Sequence, residues 1–309
     1  MATPAPAIPD EAKPERTGTH ASRAKKRLTS PWATAIAIVI AALWTIPTVG
    51  LFMTALVPGE FYRSDAWWTV TLDGNLTFDN FGIVLFDSFG DSASSDPLIG
   101  NLINSIVVTV PTVVFPLVIG LMAAYAIAWI PFRGANFLFV FIFALQVVPL
   151  QLALIPLLRI LGPENMGIAG EFPGVWVAHT IFALPLAVFL LHNFIAQIPS
   201  DVIEAARVDG ASHTQIFFRV IIPLSLPAIA SLAIFQFLWV WNDLLVSAVF
   251  GSIDTYPLTY PISNLAGSYG ATAYLVPPAA FISIIIPLIV FFSLQRYFVR
   301  GLLAGSTKG

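Results

Sequence analysis

The chain has 309 residues, of which 57% are hydrophobic and only 10% charged, against about 25% charged in an ordinary soluble domain. That composition excludes a soluble globule, which needs more polar surface, and a disordered chain, which is charge-rich and apolar-poor. A net charge of −3 gives no reason to expect a nucleic-acid partner, and the absence of Cys excludes disulfide frameworks, thiolate metal sites and cysteine nucleophiles.

Residues 1–30 are polar, carry Pro4, Pro6, Pro9 and Pro14, and end in a basic cluster of Arg23, Lys25, Lys26 and Arg27. This reads as a disordered cytoplasmic arm that meets the membrane surface. It is not a secretory signal, because the apolar run after it is too long and has no small-residue cleavage site. Long uncharged stretches follow, and crossing a hydrocarbon core of roughly 30 Å takes about 20 apolar residues. The sequence predicts six helices near 33–56, 99–129, 137–160, 173–194, 221–250 and 276–298. The runs are too long and unbroken for the alternating strands of a membrane barrel. Pro111, Pro116, Pro149, Pro156, Pro185, Pro227 and Pro287 fall inside these spans. Bundled membrane helices tolerate them because neighbouring helices satisfy the freed carbonyls.

The expected fold is therefore an all-α integral membrane protein of six transmembrane helices. Its divisions are the arm 1–30, a transmembrane domain 31–298 and a C-terminal tail 299–309. With both termini in the cytoplasm, all of the 14 Lys and Arg residues except Arg63 and Arg159 lie on cytoplasmic segments, as the positive-inside bias requires. The first outer loop is acidic instead, with Glu60, Asp65, Asp73, Asp79, Asp87, Asp91 and Asp96.

The connection 195–220 is the longest one on the cytoplasmic side and contains a short helix. Ser200 or Asp201 can cap it, with Glu204 in capping-box spacing after Asp201. Asp209-Gly210 is a stop-and-turn signal. Ala205 and Ala206 leave the middle of the helix thin, so another protein can approach closely, and Glu204 and Arg207 supply charge for it. The alternative is an ordinary amphipathic helix lying on the membrane.

On the fifth helix, Ser225, Gln236, Trp239, Asp243 and Ser247 project into an arc of roughly 80° at helical periodicity. A membrane carboxylate costs about 2.5–3.5 kcal/mol on insertion scales, so Asp243 should face a cavity or a partner. The stripe sets hydrogen-bonding groups beside one aromatic face. The alternative is that Asp243 meets water near the outer interface while Trp239 only packs. Asn242 projects elsewhere and is expected to bond between helices. On the third helix Gln146 is a further pathway candidate, and Gln151 lies on a different face. His179 and His192 point to opposite sides of the fourth helix, make no metal pair, and read as structural. The outer loop 251–275 is rich in Gly, Ser, Asn and Tyr and suits protein docking or a plain connection.

Taken together, Glu204-Ala205-Ala206, Asp209-Gly210-Ala211 and Pro223, thirteen places after Gly210, resemble the EAA loop of the membrane subunits of binding-protein-dependent ABC importers. Ile203 to Trp241 resembles the sugar-permease branch, and Trp241-Asn242-Asp243 matches its Trp-Asn-acidic signature. The ending Gln295-Arg296-Tyr297-Phe298-Val299-Arg300-Gly301, with Ala304-Gly305 and Lys308-Gly309, resembles the tail of the maltose-type second permease subunit. The run from Phe235 to Leu245 and the pair Trp67-Trp68 look most like the α-glucoside permeases.

The resemblance implies a bacterial plasma-membrane protein that pairs with a second, different permease subunit to import a sugar of the maltose or trehalose type through the lipid bilayer. It implies a cytoplasmic ATPase dimer docked on a coupling helix at 201–210, with Glu204, Ala205, Ala206, Asp209 and Gly210 in the coupling role. An extracytoplasmic solute-binding protein would deliver the sugar. ATP and Mg would bind on the partner ATPase, with no cofactor or metal in this chain. The sequence itself has no GxxxxGK[ST] loop, no HExxH and no serine–histidine pair arranged for nucleophilic attack, so no catalysis is expected of it. The competing function is an ion-coupled secondary transporter, which would show several intramembrane carboxylates and repeated broken helices. Only Asp243 qualifies.

Overall fold

The structure is a computed structural model that describes residues 31–87, 97–267 and 272–306. The basic arm 1–30, the acidic positions Asp91 and Asp96, part of the outer loop 251–275, and Lys308 and Gly309 lie outside the described residues. Among the described residues the regular structure is entirely helical. Helix α1 (Pro31–Ala55) is apolar on every side, with a mean hydropathy of 2.2, and is long enough to cross a membrane. Its residues up to Leu51 form a unit of their own, and Phe52–Gly309 form the other.

In the larger unit two short helices, α2 (Trp67–Asp73) and α3 (Asp79–Phe86), precede the long α4 (Leu98–Trp129). Then come α5 (Ala135–Leu145), α6 (Leu150–Leu161), α7 (Phe172–Ile195) and α8 (Ser200–Val208). Helix α9 (His213–Trp241) is followed by α10 (Leu245–Phe250), α11 (Thr259–Gly267) and α12 (Val276–Ser306). The first, second and fourth predicted spans match α1, α4 and α7 to within about two residues, the ordinary uncertainty of helix ends.

Three expectations need correction. The third span is not one helix: α5 and α6 meet at 101°. The chain tightens there through N–H groups of Gln146, Val147 and Val148 bonded three residues back, and Pro149 then takes an extended ψ of 129°. Proline has no N–H to continue the ladder and pushes its predecessor out of helical geometry. The fifth span stops at Trp241 rather than reaching 250. The sixth does not end at 298: helix continues to Ser306, through most of the supposed tail.

The bent pair still crosses the bundle. At one end, Asn101 and Asn104 near the start of α4 donate to the carbonyls of Tyr256 and Asp254, and Gly170 donates to Phe250. Ser252 returns a hydrogen bond to the Gly170 carbonyl at 2.7 Å. The α6–α7 connection therefore lies beside the start of α4. At the other end, Arg207 donates to the Trp129 carbonyl, beside the start of α5. So α4, α5–α6, α7 and α9 alternate in direction between two ends, which we name the α8 end and the far end.

Proline shapes the contacts between helices as well as the bends. Pro111 and Pro116 in α4 leave the carbonyls of Val107 and Thr112 without their i+4 donors. Trp176 of α7 donates to the Val107 carbonyl at 3.0 Å, and Gln236 of α9 donates to that of Thr112 at 3.2 Å. Pro287 in α12 likewise frees the Ser283 carbonyl, which Trp241 takes at 3.0 Å. In a bilayer an unpaired carbonyl has no water to turn to, so these three prolines each recruit a side chain from a neighbouring helix. Helices α4 and α7 also approach closely where Gly120 meets Ala187: a Cβ at position 120 would lie 3.1 Å from the alanine methyl.

Candidate functional site

At the α8 end the turn after α8 closes through local hydrogen bonds. Pro199 occupies the N-cap of α8, so neither Ser200 nor Asp201 caps it and the expected Asp201–Glu204 box does not form. The capping box sits eleven residues later. Ser212 Oγ accepts from the Gln215 N–H at 3.3 Å, and Gln215 Oε1 accepts from the Ser212 N–H at 2.8 Å. Between them α8 ends as the sequence indicates. Gly210 has φ +80°, with Ala211 N–H bonded to the Ala206 carbonyl and Gly210 N–H to that of Arg207. This is the Schellman pattern, which needs a left-handed residue at that position. A Cβ at Gly210 would meet nothing within 4 Å, so the backbone angle alone selects glycine here.

One face of α8 is anchored. Ile203 is buried in a cluster with Leu191, Ile195, Ile216 and Tyr125, and Ala206 packs against it. The opposite face is open: Glu204, Ala205 and Asp209 are exposed, and Val208 is 87% exposed. Val202, also exposed, is on this side. Sequence reasoning missed the two valines, although their spacing around Ala205 carries the signal.

The loop is also tied to the C-terminal ends of α4 and α7, whose last carbonyls have no helical donors. Arg207 donates to the Trp129 carbonyl and Trp129 Nε1 to that of Ile195, each at 3.3 Å. A basic side chain at a helix C-terminus also suits the helix dipole. Tyr125 Oη lies 2.9 Å from His213 Nδ1, joining α4 to the start of α9. A π-helical turn, Phe217–Ile221, follows directly in α9.

Further into the bundle, the α5–α6 bend opens a cavity of about 920 Å³ between itself, α7 and α9. Gln146 and Pro149 line it from the bend, Phe182 and Pro185 from α7, and Gln236 and Trp239 from α9. No lining residue is charged. The geometry therefore brings together three of the predicted pathway residues, Gln146, Gln236 and Trp239, from two distant stretches of sequence. Gln236 has a double position, because its Nε2 is spent on the Thr112 carbonyl. Two amides and an indole among aliphatic and phenyl groups suit a neutral, hydroxyl-bearing ligand with an apolar face.

Asp243, Ser247 and Ser225 do not line this cavity. The helical projection that aligned Asp243 and Ser247 with Trp239 fails because α9 ends at Trp241. The signature Trp241-Asn242-Asp243 is the joint between α9 and α10. Trp241 is fixed to α12, and Asn242 Nδ2 folds back onto the Leu238 carbonyl at 2.7 Å rather than bonding between helices. Asp243 accepts the Val246 and Ser247 N–H groups at 3.4 and 3.0 Å, and the Ser247 hydroxyl at 3.3 Å. The turn lets Val246 and Phe250 of α10 pack against Leu154 and Leu157 of α6 and Val175 of α7. Ser225 is wholly buried elsewhere in α9, and its hydroxyl has no hydrogen-bond partner. Gln151, on α6, is also outside the cavity. Among the described residues no group of three His, Asp or Glu side chains is placed to hold a metal ion.

Comparison with known proteins agrees with this architecture. Residues 116–303 match the family model described as "Binding-protein-dependent transport system inner membrane component". The chain is 50% identical over 273 residues to the osmoprotective compounds uptake permease protein GgtD of Synechocystis sp., covering 88% of this chain and 90% of that one. It is 48% identical over 248 residues to the alpha-glucoside transport system permease protein AglG of Rhizobium meliloti, covering 79% of this chain and 63% of the relative. Among solved structures, a bacterial ABC transporter involved in alginate import superposes with a TM-score of 0.64 at 23% identity, covering 87% of this chain and 98% of that chain. At that identity the likeness concerns the fold.

Proposed function

The chain belongs to the inner-membrane components of binding-protein-dependent transport systems, and on that premise we propose that it is one of two unlike permease subunits importing neutral α-glucosides of the maltose or trehalose kind. The family removes the ion-coupled secondary transporter from consideration. Its members are transporter components without catalysis of their own, so hydrolysis falls to a cytoplasmic ATPase dimer that carries ATP and Mg. The exposed face of α8, with Glu204, Ala205, Val208 and Asp209 ahead of the Gly210 turn, suits a groove on that ATPase. An extracytoplasmic solute-binding protein would meet the far end, around α3 and the α10–α11 connection. Both termini are then cytoplasmic in a bacterial plasma membrane, as the Lys and Arg distribution requires.

The observation that carries the substrate class is the uncharged cavity with Gln146, Gln236 and Trp239 on its walls. The names of the relatives, an α-glucoside permease and a trehalose permease of Mycobacterium tuberculosis at 33% identity, point the same way. When the ATPase dimer closes, it moves α8 and its counterpart on the second subunit together, and the attached bundles turn the cavity from one side to the other.

The test is transport by the assembled importer in proteoliposomes, with its second permease, ATPase and binding protein. Trp239→Ala should lower the sugar moved per ATP hydrolysed by about two- to tenfold, the range for losing one aromatic contact, while maximal hydrolysis persists. Equal transport of an acidic oligosaccharide, or an unchanged ratio in Trp239→Ala, would overturn the cavity assignment. Cysteines placed singly at Ala205 and Asp65 should label only from the cytoplasm and only from outside, respectively. Reversed labelling would overturn the orientation.

A further inference from the structure

His179 sits in the middle of α7 and is wholly buried. Its Nδ1 is 3.0 Å from the carbonyl of Val175, one turn back. A carbonyl only accepts, so this nitrogen carries a proton, an assignment that follows from the hydrogen-bond network. Nε2 faces Asp243 Oδ2 at 3.3 Å. An imidazole protonated only on Nδ1 would turn a lone pair toward a carboxylate oxygen, which is repulsive, and most costly away from water. The approach is stable when one more proton lies between Nε2 and Oδ2, which leaves the pair neutral overall whichever atom holds it. At 3.3 Å Nε2 forms no well-directed hydrogen bond, so the contact is a close pairing of the two groups.

The same imidazole abuts the cavity wall. Its ring centroid is 5.5 Å from that of Trp239, with the planes at 69°. Trp239 lies two residues before the end of α9, and Asp243 two residues after it. One buried side chain on α7 therefore touches the aromatic group of the cavity and the acid of the joint beside it. With the side chain of Asp243 already engaged with the first turn of α10, His179 links three elements: α7, the end of α9 and the start of α10.

We propose that His179 is a positioning residue of the transport cavity: by bridging α7 to Asp243 while its ring abuts Trp239, it fixes the indole face that the sugar meets. This rests on the cavity being the sugar pathway, and the test separates the two. In the assembled importer, His179→Phe keeps a ring against Trp239 but loses the bridge to Asp243. His179→Gln keeps a donor toward Asp243 but loses the ring.

Both should lower the sugar moved per ATP hydrolysed, by about two- to tenfold, with maximal ATP hydrolysis and yield of assembled complex near wild type. A buried side chain with only a packing role would instead lower yield and leave the ratio of the surviving complexes unchanged. That result overturns the proposal, as does a wild-type ratio in a fully assembled variant. If His179→Phe does not assemble, His179→Gln carries the same reading. Trp239→Ala serves as the reference. If it lowers the ratio and neither His179 variant does, the positioning role fails while the pathway stands. If Trp239→Ala leaves the ratio unchanged, the pathway itself fails.

Discussion

Helix α9 begins and ends at two turns that differ in what closes them. At the α8 end the backbone turn closes on itself through bonds spanning five residues or fewer, the Schellman pair around Gly210 and the box between Ser212 and Gln215, while Arg207 and His213 tie it to α4. At the far end the local bonds of Asn242 and Asp243 are joined by side-chain contacts that reach other helices of the bundle. Trp241 reaches a carbonyl 42 residues on, and Asp243 meets a histidine on α7. A turn fixed locally keeps its shape while the bundle around it moves, which suits an element that must transmit force. A turn fixed by its neighbours moves when they move, which suits the wall of a cavity that must open on alternate sides.

The largest effect expected from this contrast is at Gly210. A β-branched residue there must adopt a left-handed angle at about 1–2 kcal/mol. Gly210→Val should therefore weaken ATPase retention and uptake by roughly five- to thirtyfold at normal membrane abundance, measured by co-purification and sugar uptake. Gly210→Asn, which tolerates that angle, should recover much of both. Wild-type uptake in Gly210→Val would show that the local turn is dispensable.

Next comes the distant kind of bond. Gln236→Leu should cost about 0.6–1.7 kcal/mol of stability, the range for hydrogen bonds between membrane helices. In the background of Pro116→Ala the cost should shrink, because a backbone N–H at position 116 can take the Thr112 carbonyl. Unfolding measurements on the four proteins of this double-mutant cycle read the coupling directly. Strict additivity would mean that Gln236 is not serving the proline.

The smallest effect separates the observed cap from the expected one. Ser212→Ala should cost about 1 kcal/mol, the usual worth of such a cap, seen as faster amide exchange at the start of α9. Asp201→Ala should leave that exchange unchanged, since its carboxylate caps no helix. A larger response from Asp201 would restore the box that the sequence suggested.

The same division explains what was legible beforehand. The crossings, α8 and its glycine stop follow from composition and from signals within one helical turn. The Asn242-Asp243 pair is itself such a signal, since both residues favour helix ends over helix interiors. Projecting one helical periodicity from Ser225 to Ser247 passed over it, and so placed Asp243 and Ser247 on the cavity. The error at Asp201 is of another kind: the capping spacing was right, but Pro199 already holds the cap position and starts the helix earlier.

By itself the sequence determined that this chain is a helical membrane protein, where its long apolar segments lie, and which short helix and glycine turn join the fourth to the fifth. Uncharged length and local backbone chemistry are enough for those. Only the tertiary structure decided that Gln146 shares a cavity with Gln236 and Trp239, that Asp243 pairs with His179, and that Trp176, Gln236 and Trp241 serve prolines on other helices. A polar side chain in lipid takes the nearest unpaired group, and helix packing brings that group close from 124 residues away in the case of Gln236 and Thr112.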